Sequence, residues 1–270
     1  MSYKNFGKLA KTVILASGVA FSAASHATIV EFQTSQGNFQ VNLYDQNTPI
    51  TVANFLSYIN NGNYNNTVIH RSVSRFVVQG GGFSFQGQLP LTPIATLQPI
   101  QNEPVFSNVR GTISMAKVAG NVNSATSQWF FNLADNSANL DRQNGGFTAF
   151  GQVIGDGMTV VDRIAGLPIC NNIPMPGTTV AQCADSNYVP GQENFVTINN
   201  IVIVDSSNTT ASGLTPARNT SLGGGSNNGN NNSSSDSGGG STGLLAIGGL
   251  LALYLRKSMK KALVKLRKKA

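Results

Sequence analysis

Few residues in this 270-residue chain could do covalent chemistry. Past the first 27 residues the only histidine is His70, so a histidine-based triad or a multi-histidine metal site has little to draw on. Gly80-Gly81-Gly82 lacks the Lys-Ser/Thr and helix start that a phosphate-cradling loop needs. No metal and no cofactor is expected. What remains is a cation among amides and aromatics: Arg71 directly after His70, then Gln79 and Gln128, with Phe76 and Phe130 close to them in sequence. Taken alone, Arg71 reads as a surface ion-pairing residue and the two phenylalanines as core aromatics. Cys170 and Cys183 allow one intramolecular pairing, whose short loop would add on the order of 3 kcal/mol if the geometry permits, or else stay as free thiols.

The elements that must position these residues are mostly short strands between Gly, Asn and Asp turns, as in a sandwich or barrel. Thr28–Gln33 and Asn38–Tyr44 flank Ser35-Gln36-Gly37 as a hairpin. Further strands are expected at Val68–Arg71, Phe76–Gln79, Thr112–Ala116, Gln128–Leu133, Thr148–Ile154 and Val196–Val204. Thr48 and Pro49 open a helix whose Val52, Phe55, Leu56 and Ile59 share one face, and Gly62 ends it. A second, shorter helix covers Met158–Ile164.

Charge excludes one class of partner. The chain carries +7 overall, but residues 28–205 hold six Arg or Lys against ten Asp or Glu, and eight cations crowd residues 243–270. A mildly acidic folded part has no basic face for phosphates, so nucleic acid is not expected to bind it.

Both ends read as addresses. Residues 1–27 have the basic start, apolar stretch and small-residue finish of a secretory signal, which places residues 28–205 in an exported domain. Residues 206–242 are a Ser/Asn/Gly linker expected to be disordered. Residues 243–255 form a short apolar segment, brief for a bilayer span, and residues 256–270 a basic tail on the cytoplasmic side. This order resembles bacterial glycine-glycine C-terminal sorting signals, which implies transient anchoring in the inner membrane and release by a rhomboid-like protease. A permanent tail anchor is the competing reading. The chain would then sit on the periplasmic side of the inner membrane, or reach the envelope surface or medium once cut.

Five ordered blocks carry a second resemblance: Tyr64-Asn-Asn-Thr-Val-Ile-His70-Arg71, Phe76-Val-Val-Gln79-Gly-Gly-Gly82-Phe83, Gly111-Thr-Ile-Ser-Met-Ala116, Ser127-Gln128-Trp129-Phe130-Phe131-Asn132 and Phe150-Gly151-Gln-Val-Ile. In order and spacing they resemble the cyclophilin family of peptidyl-prolyl cis-trans isomerases, and most closely its exported bacterial members. The resemblance implies an all-β fold with two capping helices, a closed eight-stranded antiparallel barrel, acting as a monomer on proline-containing polypeptides and assisting the folding of exported proteins. It implies that Arg71 is the catalytic donor and that Gln79 orients it. Phe76, Val77, Phe130, Leu140 and Phe147 would wall the proline slot, with Gln128 holding substrate backbone and Ala116 and Lys117 lining the groove through their backbone. The chain departs from the family at Val77, where Met is usual, at Asn139, where many members have Trp, and at Phe147, where many have His. Asn139 should weaken cyclosporin-type inhibitors. Asn139 and Val77 together motivate the alternative reading, a proline-binding chaperone or scaffold of the same fold with little turnover.

Overall fold

The computed structural model describes residues 28–207, 210 and 214–221. The expected signal at 1–27, the apolar segment at 243–255 and the basic tail at 256–270 lie outside the described residues. Among the described residues no helix is long and apolar enough to cross a membrane.

Strands β1 (Ile29–Thr34) and β2 (Gly37–Leu43) form the expected hairpin, with Gly37 at φ +116° in its turn. Alternate residues Val30, Phe32, Phe39 and Val41 point into the core. Helix α1 (Pro49–Asn60) follows, and it buries the expected stripe of Val52 and Phe55, with Leu56 and Ile59 packed beside them. Its N-terminus is capped otherwise than the sequence suggests. The Thr48 hydroxyl donates to the Tyr44 carbonyl at 3.2 Å and makes no cap bond. Instead the Glu103 carboxylate accepts from the Ile50 and Thr51 amides at 3.2 and 2.8 Å, placing a negative charge at the positive end of the helix.

The remaining elements are β3 (Thr67–Val68), β4 (Arg71–Val73), β5 (Val77–Gly80), β6 (Phe83–Ser84), β7 (Thr92–Pro93), β8 (Thr112–Met115), β9 (Trp129–Asn132), α2 (Ser137–Leu140), β10 (Ala149–Val153), α3 (Met158–Ala165), β11 (Ile169–Cys170), β12 (Ile173–Pro174), α4 (Val180–Ala184) and β13 (Thr197–Asp205). Eleven of the strands make one antiparallel sheet in the order β4-β5-β9-β8-β10-β2-β1-β13-β3-β6-β7. This corrects the expected closed eight-stranded barrel: the sheet is curled but open. The reason lies at Ile69–His70, inside what reads as a single strand. The Ile69 amide donates to Val196 O at 2.9 Å, whereas the next amide, of His70, donates to Gln79 O at 3.1 Å. Consecutive residues thus pair with different neighbours, Ile69 with the residue that leads into β13 and His70 with β5. The strand splits into β3, paired with β13, and β4, paired with β5, and among the described residues no ladder joins the edge strands β4 and β7. The short helices α2 and α4 add to the two that the sequence reading expects.

The core is aromatic. Phe32 stacks on Phe39 at 5.0 Å and meets Trp129 and Phe131 edge-on at 5.1 and 5.3 Å. Helix α3 adds Val161 and Ile164. Cys170 and Cys183 are joined in a disulfide across a Cα separation of 5.2 Å, tying α4 to the β11–β12 hairpin. That hairpin lies along the open edge of the sheet, where the Asn172 carbonyl accepts from the Ser72 amide of β4 at 2.7 Å. Within the stretch that reads as a free linker, residues 214–221 pack on the domain through a bridge between Arg218 and Phe106.

Candidate active site

Strand register brings the site together. Arg71 lies opposite Gln79, Gln79 opposite Phe130, and Phe130 opposite Ser114, across β4, β5, β9 and β8. Because side chains alternate between faces, this row and Val77 lie on one face while Val78, Phe131 and Ile113 enter the core on the other. A slip of one residue would exchange the two sets.

On the site face Val77, Phe130, Ala116, Leu140 and Phe147 pack into a separate apolar cluster, with Phe76 half-buried at its margin. Phe147 meets Phe130 edge-on at 5.9 Å. Arg71 Nη1 donates to Gln79 Oε1 at 3.3 Å, and Gln79 Nε2 donates to Gln128 Oε1 at 2.9 Å. The guanidinium also stands 5.9 Å from the centroid of the Phe76 ring. Burial pulls the pKa of Arg71 down from its ordinary value, yet a guanidinium keeps its charge across any accessible pH. The arrangement is a fixed cation at the edge of an apolar slot, oriented by a chain of two amides.

The cyclophilin-type peptidyl-prolyl cis-trans isomerase/CLD family model matches residues 29–185. Over 164 residues the chain is 43% identical to the peptidyl-prolyl cis-trans isomerase of Acinetobacter baylyi, covering 59% of this chain and 84% of the relative. It is 44% identical over 164 residues to peptidyl-prolyl cis-trans isomerase A of Dickeya dadantii, covering 58% and 83%. It is 39% identical over 145 residues to isomerase B of Escherichia coli, covering 52% and 85%. The chain belongs to the cyclophilin-type peptidyl-prolyl cis-trans isomerases.

In this cyclophilin-type isomerase every residue expected at the site on the strength of the resemblance lies in the apolar cluster, in the Arg71–Gln79–Gln128 relay or, for Lys117, against the Phe147 ring. Lys117 differs from expectation in how it contributes. Its side chain, only 4% exposed, donates from Nζ to the carbonyls of Asn144 and Gly146 at 2.8 and 2.6 Å and stands 4.9 Å from the Phe147 ring centroid. Burial lowers its pKa to about 8. It therefore fastens the loop that carries Phe147 through its side chain, where a backbone contribution was expected. It is the sole lysine between residues 28 and 205, which is the signal the sequence offered. Asn139 is exposed on α2, next in sequence to the buried Leu140.

Two further side chains, Asn102 and Asn108, are invisible to sequence patterning, and the geometry explains the glycine triplet. Asn102 Nδ2 donates to the Gly145 and Gly146 carbonyls at 3.0 and 2.8 Å. Asn108 Nδ2 donates to the Phe147 carbonyl at 3.0 Å and to the Asp141 carboxylate at 2.9 Å. The glycine triplet exists for close approach: a Cβ on Gly81 would lie 2.6 Å from Trp129 Nε1, and one on Gly82 2.8 Å from the Gln128 side chain.

Proposed function

We propose that this isomerase binds the proline of an X-Pro bond among Phe76, Val77, Phe130, Leu140 and Phe147, and uses Arg71 as the donor that lowers the rotation barrier. Amide resonance makes that barrier about 18–20 kcal/mol. As the bond twists, the proline nitrogen leaves resonance and gains a lone pair, so a donor fixed beside it favours the twisted state over both planar ones. No bond is made or broken, and no nucleophile, metal or cofactor is required. The observation that carries the reading is the Arg71–Gln79–Gln128 relay at the rim of the apolar slot. Gln79 spends its Oε1 on Arg71 and so limits the guanidinium's rotamers before substrate arrives, which is the preorganisation that electrostatic stabilisation needs. Replacing Arg71 with Ala in a protease-coupled proline-peptide assay is expected to lower kcat/KM by about 10²-fold, roughly 3 kcal/mol, with peptide binding retained. Wild-type turnover in that variant refutes the assignment. Equally slow turnover in both proteins, with binding intact, marks a proline-binding chaperone instead.

The proposal extends to place. Three features support an exported isomerase that assists the folding of envelope or secreted proteins: the signal-like residues 1–27, the Gly-rich, apolar and basic order of residues 238–270, and the Cys170–Cys183 disulfide, a bond that persists in oxidising compartments. The apolar segment would hold the chain at the inner membrane, facing the periplasm, until a rhomboid-like protease cuts near residues 238–242. Intact-mass measurement of protein from the native envelope and medium tests this: the expected species begins near Thr28 and lacks the apolar segment. A membrane-bound species ending at Ala270, with none shortened, overturns the release.

A further inference from the structure

The residues after β13 lie beyond those matched by the family, yet Leu214–Ser221 return to the domain and make a built contact. The Ser107 amide donates to Ala217 O at 2.8 Å, and the Asn219 amide donates to Val105 O at 3.0 Å, a short antiparallel ladder centred on Phe106 and Arg218. Ser107 Oγ donates to Arg218 O at 3.0 Å, and the Arg218 guanidinium lies 5.7 Å from the centroid of the Phe106 ring. Leu214 packs on the cluster of Tyr44, Phe106 and Ala149.

The strap ends beside the slot. Asn219 Nδ2 donates to the main-chain carbonyl of Asp141 at 3.0 Å, and Asp141 directly follows Leu140, a slot wall. The Asp141 side chain, 1% exposed, accepts from both the amide and Nδ2 of Asn108 at 2.8 and 2.9 Å. Asn108 in turn holds the Phe147 carbonyl, and the Phe147 amide donates to Leu140 O at 2.9 Å. Asn108 itself follows Ser107, which the strap grips. The strap therefore holds both partners of the Asn108–Asp141 pair from outside.

We infer that Leu214–Ser221 is an intramolecular brace that positions the Leu140–Phe147 wall of the proline slot, with Asn219 as the positioning residue. This rests on the reading of that cluster as the substrate slot. A wall released from its brace must be ordered again each time substrate enters, which weakens binding. Arg71 and Gln79 stand on strands β4 and β5, away from the strap, so the bond rotation itself is left alone.

The test uses Asn219→Asp in the full chain, which keeps an acceptor for the Ser221 amide but loses the donor to Asp141. One hydrogen bond to a buried carbonyl is on the order of a three- to tenfold effect, so KM for a proline peptide should rise by about that factor with kcat changed less than about twofold. Leu214→Ser, which loosens the strap at its other end, should move KM in the same direction. Phe147→Ala is the control for the slot. If Phe147→Ala raises KM while both strap variants leave it at the wild-type value and only lower Tm, the strap is merely structural and the inference is overturned. If Phe147→Ala also leaves KM unchanged, the slot reading falls instead.

Discussion

The proposed proline slot has two halves built by different physics. Arg71, Gln79, Val77 and Phe130 stand on strands, and their mutual positions are fixed by backbone ladders running β4-β5-β9. Leu140 and Phe147 come from segments outside those strands, held in place by side chains that reach carbonyls: Lys117 to Asn144 and Gly146, Asn102 to Gly145 and Gly146, Asn108 to Phe147, Asn219 to Asp141. A ladder survives almost any side-chain change, whereas each of these ties depends on a single residue. In the proposed function the rigid half bears the charge that would meet the twisted bond, a geometry that a site must hold to within about 0.5 Å. The tied half supplies only Leu140 and Phe147 of the apolar cluster, and in the proposed function small movements there would tune which peptides fit. Rate should therefore depend on the strands and affinity on the ties.

The sharpest way to break this comparison is the largest effect, the roughly hundredfold loss in kcat/KM at Arg71→Ala, which must appear mainly in kcat. If it appears as KM, the strand half does not carry the chemistry. Next in size is Lys117→Met on the tied half. It strands two carbonyls in a buried site and removes the cation from the Phe147 ring, so KM should rise by about tenfold with kcat nearly kept. The same lysine gives the tied half an alkaline limb. With its pKa lowered to about 8, Lys117 loses its proton as pH rises through that value, and its bonds lose their charge-assisted strength. KM should climb between pH 7 and 9 in the wild type and stay flat in Lys117→Met. A flat wild-type profile would detach Lys117 from substrate binding.

The same division explains what could be read in advance. Strand residues sit in contiguous blocks such as Phe76–Gln79 and Gln128–Phe131, where period-two alternation and the family likeness reinforce each other, so the hairpin, both longer helices and the grouping of those side chains into one apolar cluster were legible. The ties were not. Asn108 and Asp141 are 33 residues apart and Asn219 and Asp141 are 78 apart, and nothing in the local pattern of an asparagine says that it will meet a carbonyl at that distance. The Glu103 cap of α1 escaped for the same reason, since it reaches the helix from 52 residues away. The open sheet was hidden otherwise: Val68–Arg71 has the composition of one strand, and only the pairing of Ile69 and His70 with different neighbours divides it.

The smallest effect tests whether the strand half is silent to pH. His70 adjoins Arg71 and is the one imidazole near the site, so an inflection near pH 6.5 would be the natural guess. Its ring meets Phe83 edge-on at 4.8 Å, and its Nδ1 is buried with no hydrogen-bond partner among the described residues. Burial lowers its pKa to about 4, and the Arg71 charge acts in the same direction. The imidazole is thus neutral throughout the working range and kcat should show no step between pH 5 and 7.5. Stability responds instead. Between pH 6.5 and 4 the unfolded chain takes up a proton that the folded chain refuses, so stability falls as pH drops through that window and is fully present above it. Replacing His70 with Phe removes the group that charges on unfolding, so the difference in Tm between wild type and His70→Phe should shift in the variant's favour on going from pH 7 to pH 4. A Tm difference independent of pH, or a kcat step near 6.5 that His70→Phe abolishes, would show that the imidazole titrates in the folded protein, and the strand half would then no longer be the pH-silent one.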